Sequence, residues 1–168
     1  MKAKLLVDGK EFPIEILDPE LQKLIAPSKQ TGYERAKEHG TYFYEGAPDC
    51  WSHAIDNGAH IDNSYYDDAN YYTSCEVAKN NMRADKLMRQ LRRFAVMHRD
   101  EAMRWNYKSQ KYLIYYDYSR NALDVDDGGD GRRVYGSLYF DTRAQAQLAL
   151  NTFRDELIWY FTAYKDSL

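Results

Sequence analysis

The sequence predicts an α+β fold, an antiparallel sheet with two long helices packed on it, and three observations carry the prediction. Aromatic runs such as Tyr42-Phe43-Tyr44 and Ile114-Tyr115-Tyr116 have the residue types that favour strands. Two later stretches place apolar residues three and four apart, the period of a helix with one buried face. A strand–cap–helix junction occurs twice, at Asn70-Tyr71-Tyr72-Thr73-Ser74 and at Leu138-Tyr139-Phe140-Asp141-Thr142. Together they predict a degenerate duplicated ββα unit behind an N-terminal hairpin. The chain is read as a single domain, 1–168, with the hairpin and a short helix in 3–40, a first ββα-like unit in 41–110 and a second in 111–168.

In order, Ala3–Val7 and Glu11–Ile16 flank Asp8-Gly9, a hairpin turn pair. Asp18-Pro19 reads as N-cap and first helical residue of a short helix to about Ile25. Pro27 to Gly40 is polar connection. Thr41–Glu45 is a strand, and Gly46 to Asn63, rich in Gly, Asp and Asn, is loop or short irregular hairpin. Asn70–Tyr72 is a short strand. Ser74 then caps a helix to about Arg99, whose stripe is Ala84, Leu87, Met88, Leu91, Phe94, Ala95 and His98. His98 is expected in the core. Tyr112–Tyr118 pairs with Leu123–Val125 across Ser119-Arg120-Asn121, and Val134–Phe140 is a further strand. Asp141 or Thr142 caps the last helix, with a stripe through Ala146, Ala149, Leu150, Phe153, Leu157, Tyr160, Phe161 and Tyr164. Ala78 and Ala146 occupy matching places after the two junctions.

The chain has 168 residues, 44% hydrophobic and 29% charged, enough to bury a core. Two cysteines are too few for a disulfide scaffold. The apolar run at the start is too short for a signal peptide, and no stretch approaches a membrane span. A cytoplasmic location is expected. The net charge of −3 is unevenly spread. Residues 76–111 carry ten Lys/Arg against four Asp/Glu, whereas between His39 and Val77 there is no Lys or Arg beside seven acids. Opposite charges are expected on separate faces, an arrangement that concerns partners more than fold.

No catalytic machinery is recognisable, and the expectation is a non-enzyme without cofactors. Cys50, His53, His60 and Cys75 match no zinc spacing. The stretch Asp124 to Gly131 superficially resembles a calcium loop, but the position for a closing Glu is Tyr135. Nucleophile-elbow, zinc-protease and phosphate-loop motifs are missing.

Three surfaces attract attention instead. An acidic, tyrosine-rich one is formed by Tyr44, Asp62, Tyr65, Tyr66, Asp67 and Asp68, with Asp124, Asp126 and Asp127 added from the later loop. It suits a basic protein surface. A mixed ridge of Met82, Arg89 and Val96, or the pair Leu148 and Trp159 on the last helix, suits a partner or a second copy of the chain. Lys79, Lys86, Arg89, Arg92 and Arg93 lie opposite the apolar stripe of the long helix and give a nucleic-acid alternative.

The stretches Arg83-Ala84-Asp85-Lys86-Leu87-Met88-Arg89-Gln90-Leu91-Arg92-Arg93-Phe94, Tyr139-Phe140-Asp141-Thr142 and Asp155-Glu156-Leu157-Ile158-Trp159-Tyr160-Phe161 resemble small uncharacterised proteins encoded by phages and prophages of Gram-positive bacteria. The resemblance spans most of the chain from the first hairpin onward. It implies a viral accessory protein in a bacterial cytoplasm and transfers no catalytic residue. By analogy with accessory proteins of this size, it implies a non-catalytic inhibitor of a host defence component, including anti-CRISPR activity. The partner would be a host protein such as a defence nuclease or effector, without membrane involvement. A nucleic-acid-binding module and a minor virion component are the other two expectations.

Overall fold

The computed structural model describes residues 2–7, 10–15, 31–47, 50–99, 110–128 and 136–164. The chain is α+β. Its elements are β1 (Lys2–Val7), β2 (Lys10–Glu15), β3 (Thr41–Ala47), β4 (Cys50–Ile55), α1 (His60–Asp67), α2 (Cys75–Met97), β5 (Tyr112–Asp117), β6 (Ala122–Asp127), α3 (Arg143–Thr152) and α4 (Arg154–Trp159). A π-helical turn, Tyr160–Tyr164, follows α4. The helix predicted over Asp18–Ile25 lies outside the described residues.

Among the described residues the strands pair as three two-stranded ladders, β1–β2, β3–β4 and β5–β6, rather than as the one sheet predicted. In β1–β2, Ala3 faces Ile14 and Val7 faces Lys10, and in β5–β6, Ile114 faces Val125. What extends each later hairpin is one residue. Phe43 and Tyr72 exchange both backbone hydrogen bonds, 2.7 and 2.9 Å, and Tyr112 and Phe140 do the same at 3.0 and 2.8 Å. The strand predicted at Asn70–Tyr72 is thus reduced to the first bridge and the described part of that predicted at Val134–Phe140 to the second, with Val134 and Tyr135 outside the described residues.

The duplication is visible here. Each bridge joins the first strand of its hairpin to a residue three positions before a helix, Cys75 in one case and Arg143 in the other. Three positions into each helix stands an alanine with no exposed surface, Ala78 and Ala146. A larger side chain at either place would have no room.

By backbone contacts the chain groups into two compact units: residues 1–44 with 53–77, and residues 45–52 with 78–168. The boundaries differ from the sequence division at 40/41 and 110/111, because α2 belongs to the first unit only through Val77. In the second unit the core is aliphatic and aromatic. Leu87 and Leu91 of α2 meet Val125, Phe140, Ala146, Ala149, Leu150 and Leu157, all buried, with Met88, Phe94 and Ala95 partly buried against them. This is the predicted stripe of both helices. His98 departs from it: it is exposed, stacks on Phe94 at 4.0 Å and shares a 2.8 Å hydrogen bond with the Phe94 carbonyl. It lies past the end of α2, where the stripe no longer faces a core.

The last helix is not one rod. Thr142 caps α3, its Oγ1 accepting from the Gln145 N–H while the Gln145 side chain accepts from the Thr142 N–H, a reciprocal capping box. Regular helix is interrupted at Phe153 and gives way to the π turn after Trp159. A threonine hydroxyl donates to the carbonyl four residues back near each irregularity, Thr152 to Leu148 and Thr162 to Ile158. Such back-bonding competes with the helical ladder and bends it.

Candidate functional site

The first unit holds a polar aromatic cluster that grows from one short turn. Asp56-Asn57-Gly58 leaves β4, and the Gly58 N–H donates to Asp56 Oδ1 at 2.9 Å, an Asx turn. Gly58 has φ +69, where a side chain would be strained. The turn delivers Asp56 to the interior, 4% exposed, where Arg35 grips it with Nε at 2.8 Å and Nη2 at 3.0 Å. The Tyr71 hydroxyl also donates to it, at 2.8 Å. The Arg35 pairing, with the Gly58 and Tyr71 donors, holds the Asp56 carboxyl far below the usual carboxylate range against the opposing effect of burial. Burial pushes the Tyr71 hydroxyl up to about 12.

Asp62 does the second half of the work. It was expected on the surface, and the structure corrects this: it is 3% exposed, receiving the Tyr42 hydroxyl at 2.8 Å and the backbone N–H groups of Asn57 and Ala59 at 3.0 Å each. These donors, Tyr42 first, lower its pKa. The reason is local. An acid at the third position of a helix satisfies the orphan N–H groups at its N-terminus, so Asp62 turns inward to start α1. Burial and the Asp62 bond in turn raise the Tyr42 pKa.

On these anchors stands a ring assembly. Tyr42 stacks on Tyr71 at 4.2 Å, Tyr44 on Tyr65 at 4.4 Å, and Tyr66 meets Tyr71 edge-on at 5.4 Å while the Arg35 guanidinium lies 5.3 Å from its centroid. Tyr42 and Tyr71 are buried, Tyr44 and Tyr65 half-buried, Tyr66 exposed. Asp67 and Asp68 are exposed at the end of α1. The predicted residues Tyr44, Tyr65, Tyr66, Asp67 and Asp68 therefore occur in one unit, the three rings packed on Tyr42 and Tyr71, whose hydroxyls two buried carboxylates hold.

Asp124, Asp126 and Asp127 belong to the second unit. Asp124 is paired to Arg120 at 2.9 Å, and Arg120 also holds Asp117 at 2.6 Å. Asp126 accepts from the Asp127 N–H, and Gln110 donates to Asp127 at 3.4 Å.

Of the mixed ridge on α2, Met82 is buried at 8% exposure, a correction, because Trp51, Arg83 and Glu156 gather with it around one cleft. Arg89 is exposed and reaches Glu45 at 3.3 Å, while Val96 is 69% exposed. Leu148 is half-exposed, but Trp159 is partly covered by Arg83, 3.9 Å above its ring, and by Tyr164 at 5.6 Å. Arg83 in turn forms a two-pronged pair with Glu156, 2.8 and 3.0 Å, which lowers the Glu156 pKa. Lys79 sits 4.7 Å from the Trp51 ring centroid, and Lys86, Arg92 and Arg93 are exposed. Lys111, buried, pairs with Asp141. Opposite charges thus meet at short range in many places, which corrects the expected sorting onto separate faces.

Among the described residues, no three His, Cys, Asp or Glu side chains are grouped as metal ligands, and no helix is long and apolar enough to cross a membrane. No family model, characterised protein or solved structure matches the chain.

Sequence reasoning reached the rim of the cluster and missed its base. Arg35 lay in a polar connection, and Asp56 looked like any turn acid. The available signal was Asp-Asn-Gly, an Asx-turn pattern placed directly after a strand.

Proposed function

We propose that this chain is a non-catalytic phage accessory protein that binds a basic surface of a host protein through the tyrosine–acid face of its first unit. The host protein is a defence component, such as a nuclease or CRISPR effector, which the binding inhibits. The observation that supports this is the Tyr44–Tyr65 stack beside exposed Tyr66, Asp67 and Asp68. Tyrosines offer large contact area with few rotatable bonds, and rings fixed before binding lose little entropy on docking. Carboxylates at the rim steer a basic partner and select against acidic ones. The polar groups beneath are engaged in holding the rings, which fits a docking surface better than a reaction centre. The phage context comes from the sequence resemblance.

The test is capture of a host protein by the tagged chain, with phage survival in a host carrying active defence systems as the second readout. The double variant Tyr44→Ala, Tyr65→Ala is expected to lose capture and protection together, by tenfold or more in affinity, about 1.4 kcal/mol or above. A chain that captures nothing and protects no phage overturns the reading, as does a double variant that binds as tightly as the parent.

A further inference from the structure

The second unit carries a cleft that the docking reading does not use. Its volume is about 470 Å³, and it is lined by Trp51, Lys79, Met82, Arg83, Lys86, Leu87, Gln90 and Glu156. We propose that this cleft binds a phosphate-bearing nucleotide, free or as one unit of a single strand, with the base against Trp51 and the phosphate between Lys79 and Lys86.

The composition of the walls carries the inference. Lys79, Arg83, Lys86 and Gln90 recur at helical spacing along one side of α2, so three cations and an amide line that wall. Lys79 and Lys86 stand two turns apart, about 10 Å along the axis. Glu156 is the one acid among the lining residues, and Arg83 already clamps it through both carboxylate oxygens. Arg83 is further fixed by its stack on Trp159, which makes the middle of the wall rigid. The cleft therefore presents net positive charge, with a preformed centre and long lysine arms on either side. The other features are apolar. Met82 and Leu87 form the floor, and the Trp51 indole, 39% exposed, supplies an aromatic wall with the Lys79 ammonium over one face of its ring.

A bare anion would need only the cations, and an apolar ligand only the floor and the indole. A planar ring joined to a phosphate uses all of them. Base stacking on an aromatic side chain beside lysines that follow the phosphates is the common chemistry of single-strand recognition. The volume lies within the range of small-ligand sites.

The experiment is calorimetric titration of the full chain with AMP, a short oligothymidylate, inorganic pyrophosphate and a polyglutamate peptide. AMP or the oligonucleotide should bind, and more tightly than pyrophosphate or polyglutamate. Trp51→Ala should weaken that binding about tenfold or more, with Trp51→Phe retaining most of it. Lys79→Ala and Lys86→Ala should each weaken it about tenfold. Arg92→Ala with Arg93→Ala, on the same helix outside the cleft, should change it less than about twofold. Tighter binding of AMP identifies a free nucleotide, and tighter binding of the oligonucleotide identifies a strand. Any of three results overturns the proposal: neither nucleotide probe binding at millimolar concentration, Trp51→Ala without effect, or Arg92 and Arg93 mattering as much as the lysines.

Discussion

The two units fill their interiors differently. The chain twice runs from a hairpin through a single bridging residue to a helix that begins three residues later. In the second unit the space inside is taken by Leu87, Leu91, Val125, Phe140, Leu150 and Leu157. In the first it is taken by Tyr42 and Tyr71 bonded to Asp62 and Asp56. An aliphatic core gains free energy from area removed from water and tolerates many packings of equal volume. A core of hydroxyls on carboxylates gains less per contact, because each charge must be desolvated, but every partner has a required place. The same frame can thus be filled for stability or for a fixed arrangement of rings. The first unit, where the rings reach the surface, has the second kind of filling.

The largest effects test this contrast directly. Leu87→Ala should destabilise the protein by about 2–5 kcal/mol, with a loss that is the same at neutral and at acid pH. Asp56→Ala should also destabilise strongly at pH 7, since it strands Arg35, the Tyr71 hydroxyl and the Gly58 N–H. Its loss, however, should shrink in acid. Asp56 and Asp62 have lowered pKa values in the folded protein, so the unfolded chain takes up protons first as pH falls. Their stabilisation is complete above the ordinary carboxylate range and declines from about pH 4 downward. Denaturant unfolding of both variants at pH 7 and pH 3 checks it. A loss at Asp56 independent of pH would break the comparison.

Tyrosine ionisation gives a smaller signal of opposite sign. Tyr71 is raised to about 12 and Tyr42 is also raised. Since the protonated form is the one that folding favours, their contribution persists below pH 10 and fades as pH climbs towards 12. Absorbance titration should show Tyr42 and Tyr71 ionising above the ordinary tyrosine range, and Asp62→Asn should lower the Tyr42 value. If all titrate together near 10, the first unit lacks a specified polar core.

The helix starts provide the smallest test. Thr142 accepts from Gln145 at 3.2 Å within a reciprocal box, whereas Ser74 accepts from Val77 at 3.4 Å. Thermal unfolding should show Thr142→Ala costing about 1 kcal/mol and Ser74→Ala only a few tenths. Equal costs would mean that the shared helix start is equally strong in both halves.

Much of the frame was legible because it follows from periodicity and caps. The hairpins around Asp8-Gly9 and Ser119-Arg120-Asn121, the stripe of α2 and the cap at Thr142 all came from local chemistry. Helix α1 did not. His60-Ile61-Asp62-Asn63-Ser64-Tyr65-Tyr66-Asp67 contains weak helix formers without an apolar stripe. It is started by Asp62 from inside and ended by Ala69 at φ +56, where glycine would have signalled a stop. The burial of Met82 was likewise hidden, because helical spacing locates a face but not what covers it. For the site, the ring-bearing residues were legible from their abundance. Arg35 and Asp56 were not, since their meaning lies in a contact across 21 positions of sequence.

The one-residue bridges have a consequence for how such a chain can change. Because Tyr72 and Phe140 each fasten the route to the helix at a single point, the lead-up to Tyr72, 56–71, need not keep the regular alternation of a third strand. Such a stretch can acquire a helix, as α1 shows, while the clasp and the buried alanine beyond it stay where they are. The architecture therefore behaves like a mount with exchangeable inserts, in which a new recognition surface can arise without the scaffold being rebuilt.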